Sequence, residues 1–144
     1  AQAVANALAG YSPKKGRGVS PRSPVYEYEG TFQGKPAWFK VTATYGHIYS
    51  LDFGAGHNHW GKYANESLFH APVEHKFDKE ARLPDHLAAV ASGCHALVLW
   101  LDCDREGESI CFEVIKNAVP SMDTSCSFPH AFRERIFRAK FSSL

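Results

Sequence analysis

Residues 97–113 read LVLWLDCDREGESICFE, and no other stretch limits the possible fold as tightly. Five apolar residues run straight into four acids within seven positions: Asp102, Asp104, Glu106 and Glu108, with Arg105 and Gly107 among them. An unbroken apolar run of strand length is buried on both faces, so it belongs at the centre of a layered sheet. Acids that follow it directly crowd like charge at the carboxyl end of a strand, where open α/β sheets bind ligands. Crowded carboxylates raise one another's pKa, and a hard cation relieves that repulsion. The stretch therefore predicts an α/β fold with a divalent-metal site.

Side chains two apart on a strand share a face, so the spacing projects Asp102 and Asp104 together and turns Cys103 the other way. Glu106 and Glu108 begin the turn and helix that follow. Mg²⁺ takes oxygen ligands and keeps several waters, leaving positions for phosphate oxygens. Arg105 carries a permanently charged fork suited to phosphate. The cluster thus suggests phosphoryl chemistry assisted by Mg²⁺. A calcium loop competes, because Asp102, Asp104, Glu106, Gly107 and Glu113 fall on positions 1, 3, 5, 6 and 12 of an EF-hand. Against it, position 5 is Glu, position 8 is Ser109, and the preceding LVLWL is a strand pattern rather than an amphipathic helix. A merely solvated acidic helix start leaves unexplained why the acids follow a core strand.

The remaining chain supplies the layers. Its 144 residues suit one domain with a real core. A net charge of +1 gives no global case for nucleic-acid binding, so any such surface must be local. No apolar run approaches the ~20 residues of a membrane span, and no signal peptide is visible. Cys94, Cys103, Cys111 and Cys126 show neither a C-x-x-C pair nor zinc spacing; Cys103 and Cys111 are expected as buried, reduced thiols in a reducing compartment.

Residues 1–10 predict a helix stopped at Gly10, and 11–24, rich in Pro, Gly, Lys and Arg, a flexible basic loop. Residues 25–32 and 36–45 predict an antiparallel hairpin turning at 33–35, continued in extended form by 48–53 past Gly46 and His47. Residues 54–82 read as a long irregular segment, a functional loop or partner surface. His57 and His59 there lack Cys or carboxylate neighbours and read as surface rather than metal ligands. Trp60 and Phe69 are expected to pin the loop to the body. Residues 84–93 predict a short helix, 96–101 the central strand, 106–119 a helix with Ile110, Val114, Ile115 and Ala118 inward, and 135–144 a last strand.

The motif DCDREGE resembles the D-x-D-R-E-G-E signature of the Toprim domain of type IA DNA topoisomerases. EYEGTFQGKPAWFKVTATYGHIYSLDF resembles the hairpin and G-H strand preceding it in topoisomerase III, NHWGKYANESLFHAPVEHK its loop, and FRAKFSSL the strand leading out. ESLFHAPVE and ICFEV are closer to the eukaryotic beta type than to the alpha type. The resemblance covers essentially the whole chain and implies one Toprim domain over 1–144, a Rossmann-like layered sheet with central parallel strands and an antiparallel hairpin. It implies Asp102, Asp104 and Glu106 as Mg²⁺ ligands, Arg105 as the adjacent catalytic and nucleic-acid-binding arginine, and Glu108 as a supporting residue. His47 and Arg138 follow as further site candidates, Arg138 toward nucleic acid.

Two departures accompany the resemblance. The family's first strand and its E-K-P-S type turn, with a catalytic Glu, are expected upstream of Ala1, and the tyrosine-bearing and gate domains are expected outside these residues. On this reading the chain is part of an enzyme that cuts, passes and reseals single strands of DNA without ATP, with RNA left open as a substrate. The resemblance also implies an accessory protein partner and a nuclear location, with cytoplasm left open. The competing readings are another Toprim enzyme, primase-like or a nuclease, and a noncatalytic metal or nucleic-acid binding module.

Overall fold

The computed structural model describes residues 1–54, 57, 65–123 and 132–141. Helix α1 (Gln2–Ala9) stops where Gly10 turns left-handed and returns its N–H to the Asn6 carbonyl, as expected. The hairpin forms from β2 (Val25–Phe32) and β3 (Lys35–Val41), closed by Gln33 and Gly34 at φ 50° and 76°. Two successive positive φ angles give the mirror-image turn whose twist matches a two-residue hairpin. The ladder ends at Val41 rather than Tyr45, and Thr42 instead donates its hydroxyl to the Pro24 carbonyl at 3.0 Å.

The basic stretch expected as loop adds a strand. β1 (Lys14–Gly16) pairs antiparallel with β2 and sets Lys14 opposite Glu27, a favourable cross-strand charge pair. The described part of the 54–82 segment is also more regular than its composition suggests. Its described residues include a helical turn, α2 (Asn65–Leu68), and β5 (Val73–Lys76), which pairs antiparallel with β4 (Ser50–Phe53). Phe69, expected to pin this segment, is 88% exposed, so it fixes nothing here. His59 and Trp60 lie outside the described residues.

The core forms around the second half of the chain. α3 (Leu83–Ala91), with Pro84 in its first turn, buries Leu83, His86, Leu87 and Ala91. β6 (Leu97–Leu99) and β7 (Ile136–Arg138) are parallel, running from Leu97 opposite Ile136 to Leu99 opposite Arg138. α4 (Arg105–Ala118) lays Ile110, Val114 and Ala118 against Leu87, Ala91 and Leu99, with Ile48 and Met122 closing the cluster. Their i, i+4, i+8 spacing is the apolar stripe anticipated for this helix.

The chain is thus α/β, with a parallel pair and an antiparallel hairpin as expected. Among the described residues the strands form three sheets: β1–β2–β3, β4–β5 and β6–β7. β6 is shorter than its apolar run. Leu99 is buried, while Val98 and Trp100 are 43% and 44% exposed, so only one face is covered by the described residues. No described helix is long and apolar enough to cross a membrane.

Candidate metal centre

Because β6 ends at Leu99, the alternation expected to aim Asp102 and Asp104 stops before it reaches them. Three other fastenings shape the turn. Asp104 is the N-cap of α4: its backbone is extended, and Oδ1 accepts the Gly107 N–H at 2.7 Å. Such a cap contributes about 1 kcal/mol and spends one carboxylate oxygen. Its carbonyl accepts the Glu108 N–H at 3.0 Å, the first full turn of the helix.

Gly107 is the second fastening. A Cβ here would fall 2.1 Å from the Asp102 carbonyl oxygen and 2.9 Å from its carbon. The backbone of Asp102 therefore rests directly on the first turn of α4, an approach only glycine permits.

Arg138, at the end of β7, is the third. Its guanidinium donates to the carbonyls of Leu99 (3.3 Å), Leu101 (2.9 Å), Asp102 (2.9 Å) and Ala139 (2.6 Å). It also grips Glu108 Oε1 from both Nε and Nη2 at 3.0 Å. Partial burial opposes the charge, but the Glu108 hydrogen bond and nearby negative groups outweigh it and hold the pKa above the ordinary arginine value. With these donors committed, Arg138 shapes the acid turn rather than offering an open fork to a strand. Glu108 is correspondingly occupied as its partner.

Asp102, Asp104, Arg105 and Glu106 are all exposed around this frame. So is Cys103, expected to be buried, with Sγ 3.8 Å from Arg138 Nη2. The cause is the same: a turn, not a strand, carries residues 102–104. Glu106 and Glu108 also sit in the first turn of α4, where the helix dipole favours negative charge.

His47 approaches from the β3–β4 connection. Its Nδ1 meets Glu113 Oε1 at 2.8 Å, while Glu113 Oε2 accepts the N–H of Ile48 at 2.6 Å and of Tyr49 at 3.4 Å. The Tyr49 hydroxyl donates to Asn117 Oδ1 at 2.7 Å, tying the segment to the next turn of α4. The Glu113 hydrogen bond raises the His47 pKa, partial burial opposes it, and the charges of Glu113 and Glu106 add to the rise. His47 is therefore tied to α4 through Glu113, which stands in the sequence only as an EF-hand position. Its seven-residue spacing from Glu106, which puts both on one face of a helix, was the available signal.

These donors suit a hard cation. They are carboxylate oxygens, water-accessible, with Asp102, Glu106 and the second oxygen of Asp104 outside the capping bond. Among the described residues no three His, Cys, Asp or Glu side chains converge as a closed ligand set. Magnesium held through one or two carboxylates while retaining its waters requires no such set.

The chain is 40% identical over 146 residues to DNA topoisomerase 3-beta-1 of Homo sapiens, covering 100% of this chain and 16% of that protein. It is 43% identical over 148 residues to DNA topoisomerase 3-beta of Oryza sativa subsp. japonica, again over 100% of this chain and 16% of the relative. To DNA topoisomerase 3-alpha of Drosophila melanogaster it is 31% identical over 116 residues, 80% of this chain and 9% of that protein. The chain thus spans about a sixth of the length of the beta-type relatives it matches. The Toprim domain family matches residues 3–144, and the chain belongs to that family, whose members generally bind a divalent metal.

Proposed function

We propose that these 144 residues form a single Toprim unit, the Mg²⁺-binding part of a eukaryotic-type DNA topoisomerase III of the beta type, acting on DNA in the nucleus. The observation that carries the reading is the acid turn fastened at the carboxyl end of β6 by Asp104, Gly107 and Arg138. The beta-type relatives support it. In the parent enzyme a tyrosine outside these residues attacks one phosphodiester of a single strand. A phosphotyrosyl bond forms at the 5′ side as the 3′ oxygen departs with a proton. After strand passage the 3′ hydroxyl attacks that phosphorus, expels the tyrosine and restores the original bond. Each step exchanges one phosphoester for another, so no ATP is consumed. RNA is a candidate second substrate and an accessory protein a candidate partner of the parent.

Asp102, Asp104 and Glu106 would hold Mg²⁺, which when bound offsets the charge of the scissile phosphate. Arg105, exposed beside them, contacts a phosphate oxygen through its planar fork. His47, kept cationic to higher pH by Glu113, adds positive charge at the edge of the same site. Arg138 and Glu108 keep the turn in shape. Asp102→Asn combined with Asp104→Asn should weaken Mg²⁺ binding at least tenfold by titration calorimetry; unchanged affinity would overturn the assignment. The chain alone should leave negatively supercoiled plasmid unrelaxed, and relaxation by it would refute a nucleophile located elsewhere.

A further inference from the structure

We propose that the cavity beside His47 receives one unstacked base of a single strand, an inference that rests on the topoisomerase reading above. The cavity, about 210 Å³, lies between the Tyr45–Ser50 segment and the chain running from Lys76 to Leu83. That is below the roughly 300–1,000 Å³ of typical small-molecule sites, so it suits one ring system rather than a dinucleotide.

Its rim has the two features that unspecific strand binding requires. Tyr45 and Phe77 both line it, and both rings remain open to water, at 62% and 45% exposure. A base stacked on such a ring gains affinity without any base-specific hydrogen bond, because every base has a π-face. Arg22 and Lys76 supply cations at the same mouth. Arg22 pairs with Asp78 and Lys76 with Asp52, both across water-exposed surface. Exposed ion pairs bind weakly, so a strand phosphate can draw either cation to itself. Asp78 does not depend on Arg22 for its position: its Oδ1 accepts the N–H groups of Glu80 at 2.8 Å and Ala81 at 3.1 Å.

Position argues for a nucleotide over other ligands of similar size. His47 lines the cavity and is bonded at 2.8 Å to Glu113, which lies seven residues along α4 from Glu106. About two helical turns, on the order of 10 Å, therefore separate the pocket side of α4 from the acids at its start. A strand with a phosphate at the acids has a neighbouring nucleotide available to enter the cavity.

The test uses the 144-residue chain and short single-stranded deoxyoligonucleotides carrying 2-aminopurine at one position each. Binding should quench the fluorophore in one register only. Tyr45→Ala or Phe77→Ala should abolish that quenching and weaken binding about 5- to 150-fold, the range for one stacked base. Tyr45→Phe should retain it, separating stacking from folding, and Arg22→Gln should lower the salt dependence of binding. Oligonucleotide bound without register-specific quenching, or quenching unaffected by both alanine variants, would overturn the pocket but leave the topoisomerase reading intact. A folded chain that binds no oligonucleotide would count against both.

Discussion

Replacing Gly107 with alanine pits two known effects against each other. Alanine is favoured over glycine inside a helix by about 1 kcal/mol. Opposing this, the new methyl would lie 2.1 Å from the Asp102 carbonyl oxygen, a backbone atom that cannot rotate aside as a flexible side chain could. Overpacking of this kind costs about 1–3 kcal/mol. The net expectation is a loss of about 0–2 kcal/mol, and that small figure hides the larger effect. Relief of the clash must push Asp102 away from α4, and Asp102 is a ligand candidate. Disturbing residues that orient metal ligands typically lowers affinity 10–100-fold, so Gly107→Ala should weaken Mg²⁺ binding by about that factor. Denaturant melts and Mg²⁺ titration on one preparation separate the effects, with exposed Ser109→Ala as a control that raises helix propensity in α4 without a clash. A Gly107→Ala chain that gains stability and binds Mg²⁺ normally would refute the close approach of Asp102 to the helix.

Further predictions concern Arg138 and the histidines. Arg138→Lys retains the charge but not the fork that reaches four carbonyls and Glu108, and should cost about 1.5–3 kcal/mol in chemical denaturation. A loss under 0.5 kcal/mol would mean water satisfies those carbonyls equally well. Fully buried His86 accepts the Ser20 N–H at Nδ1 (3.3 Å), so its Nε2 proton points to the Thr42 hydroxyl at 2.8 Å. Burial lowers its pKa, the unfolded chain binds the proton first, and its contribution to stability is full above about pH 6.5 and declines as pH falls below that. His47 has the opposite sign: its raised pKa contributes stability at low pH that is lost as pH rises through the folded value. NMR titration should find His47 titrating above 6.5 and His86 below it, and Glu113→Gln should lower the His47 value alone; a reversed order would contradict both environments.

The sequence made the long, locally determined elements legible. α1 with its Gly10 stop, the hairpin closing on Gln33-Gly34, α3 with early Pro84 and the apolar stripe of α4 each depend on neighbours within a few residues. β1 and β5 were missed because three or four residues carry no readable period; they are strands only because β2 and β4 offer them an edge. At the site, the residue types in DCDREGE pointed to a hard-cation chemistry, but the geometric reason given for them did not survive. A strand ending at Leu99 cannot aim Asp102 and Asp104 by alternation, and that also explains exposed Cys103. What does shape the turn is distant in sequence, Arg138 above all, or consists of an absent atom, as at Gly107. Local composition shows the glycine but not the close approach it permits, and it does not show the arginine at all. Glu113 lay in plain view but was weighed only as a calcium ligand, since its bonds to His47, Ile48 and Tyr49 cross 64 to 66 positions.

The reach of Arg138 also sets an order of events at birth. A chain leaves the ribosome from its N-terminus, so the acids emerge well before the arginine 36 residues later that holds the Asp102 carbonyl. Until β7 docks beside β6, the stretch that would gather a metal and a phosphate lacks its cross-brace. The nascent chain therefore carries its acids with only their local fastenings, and the turn takes its final shape late, with the strand that completes the parallel pair.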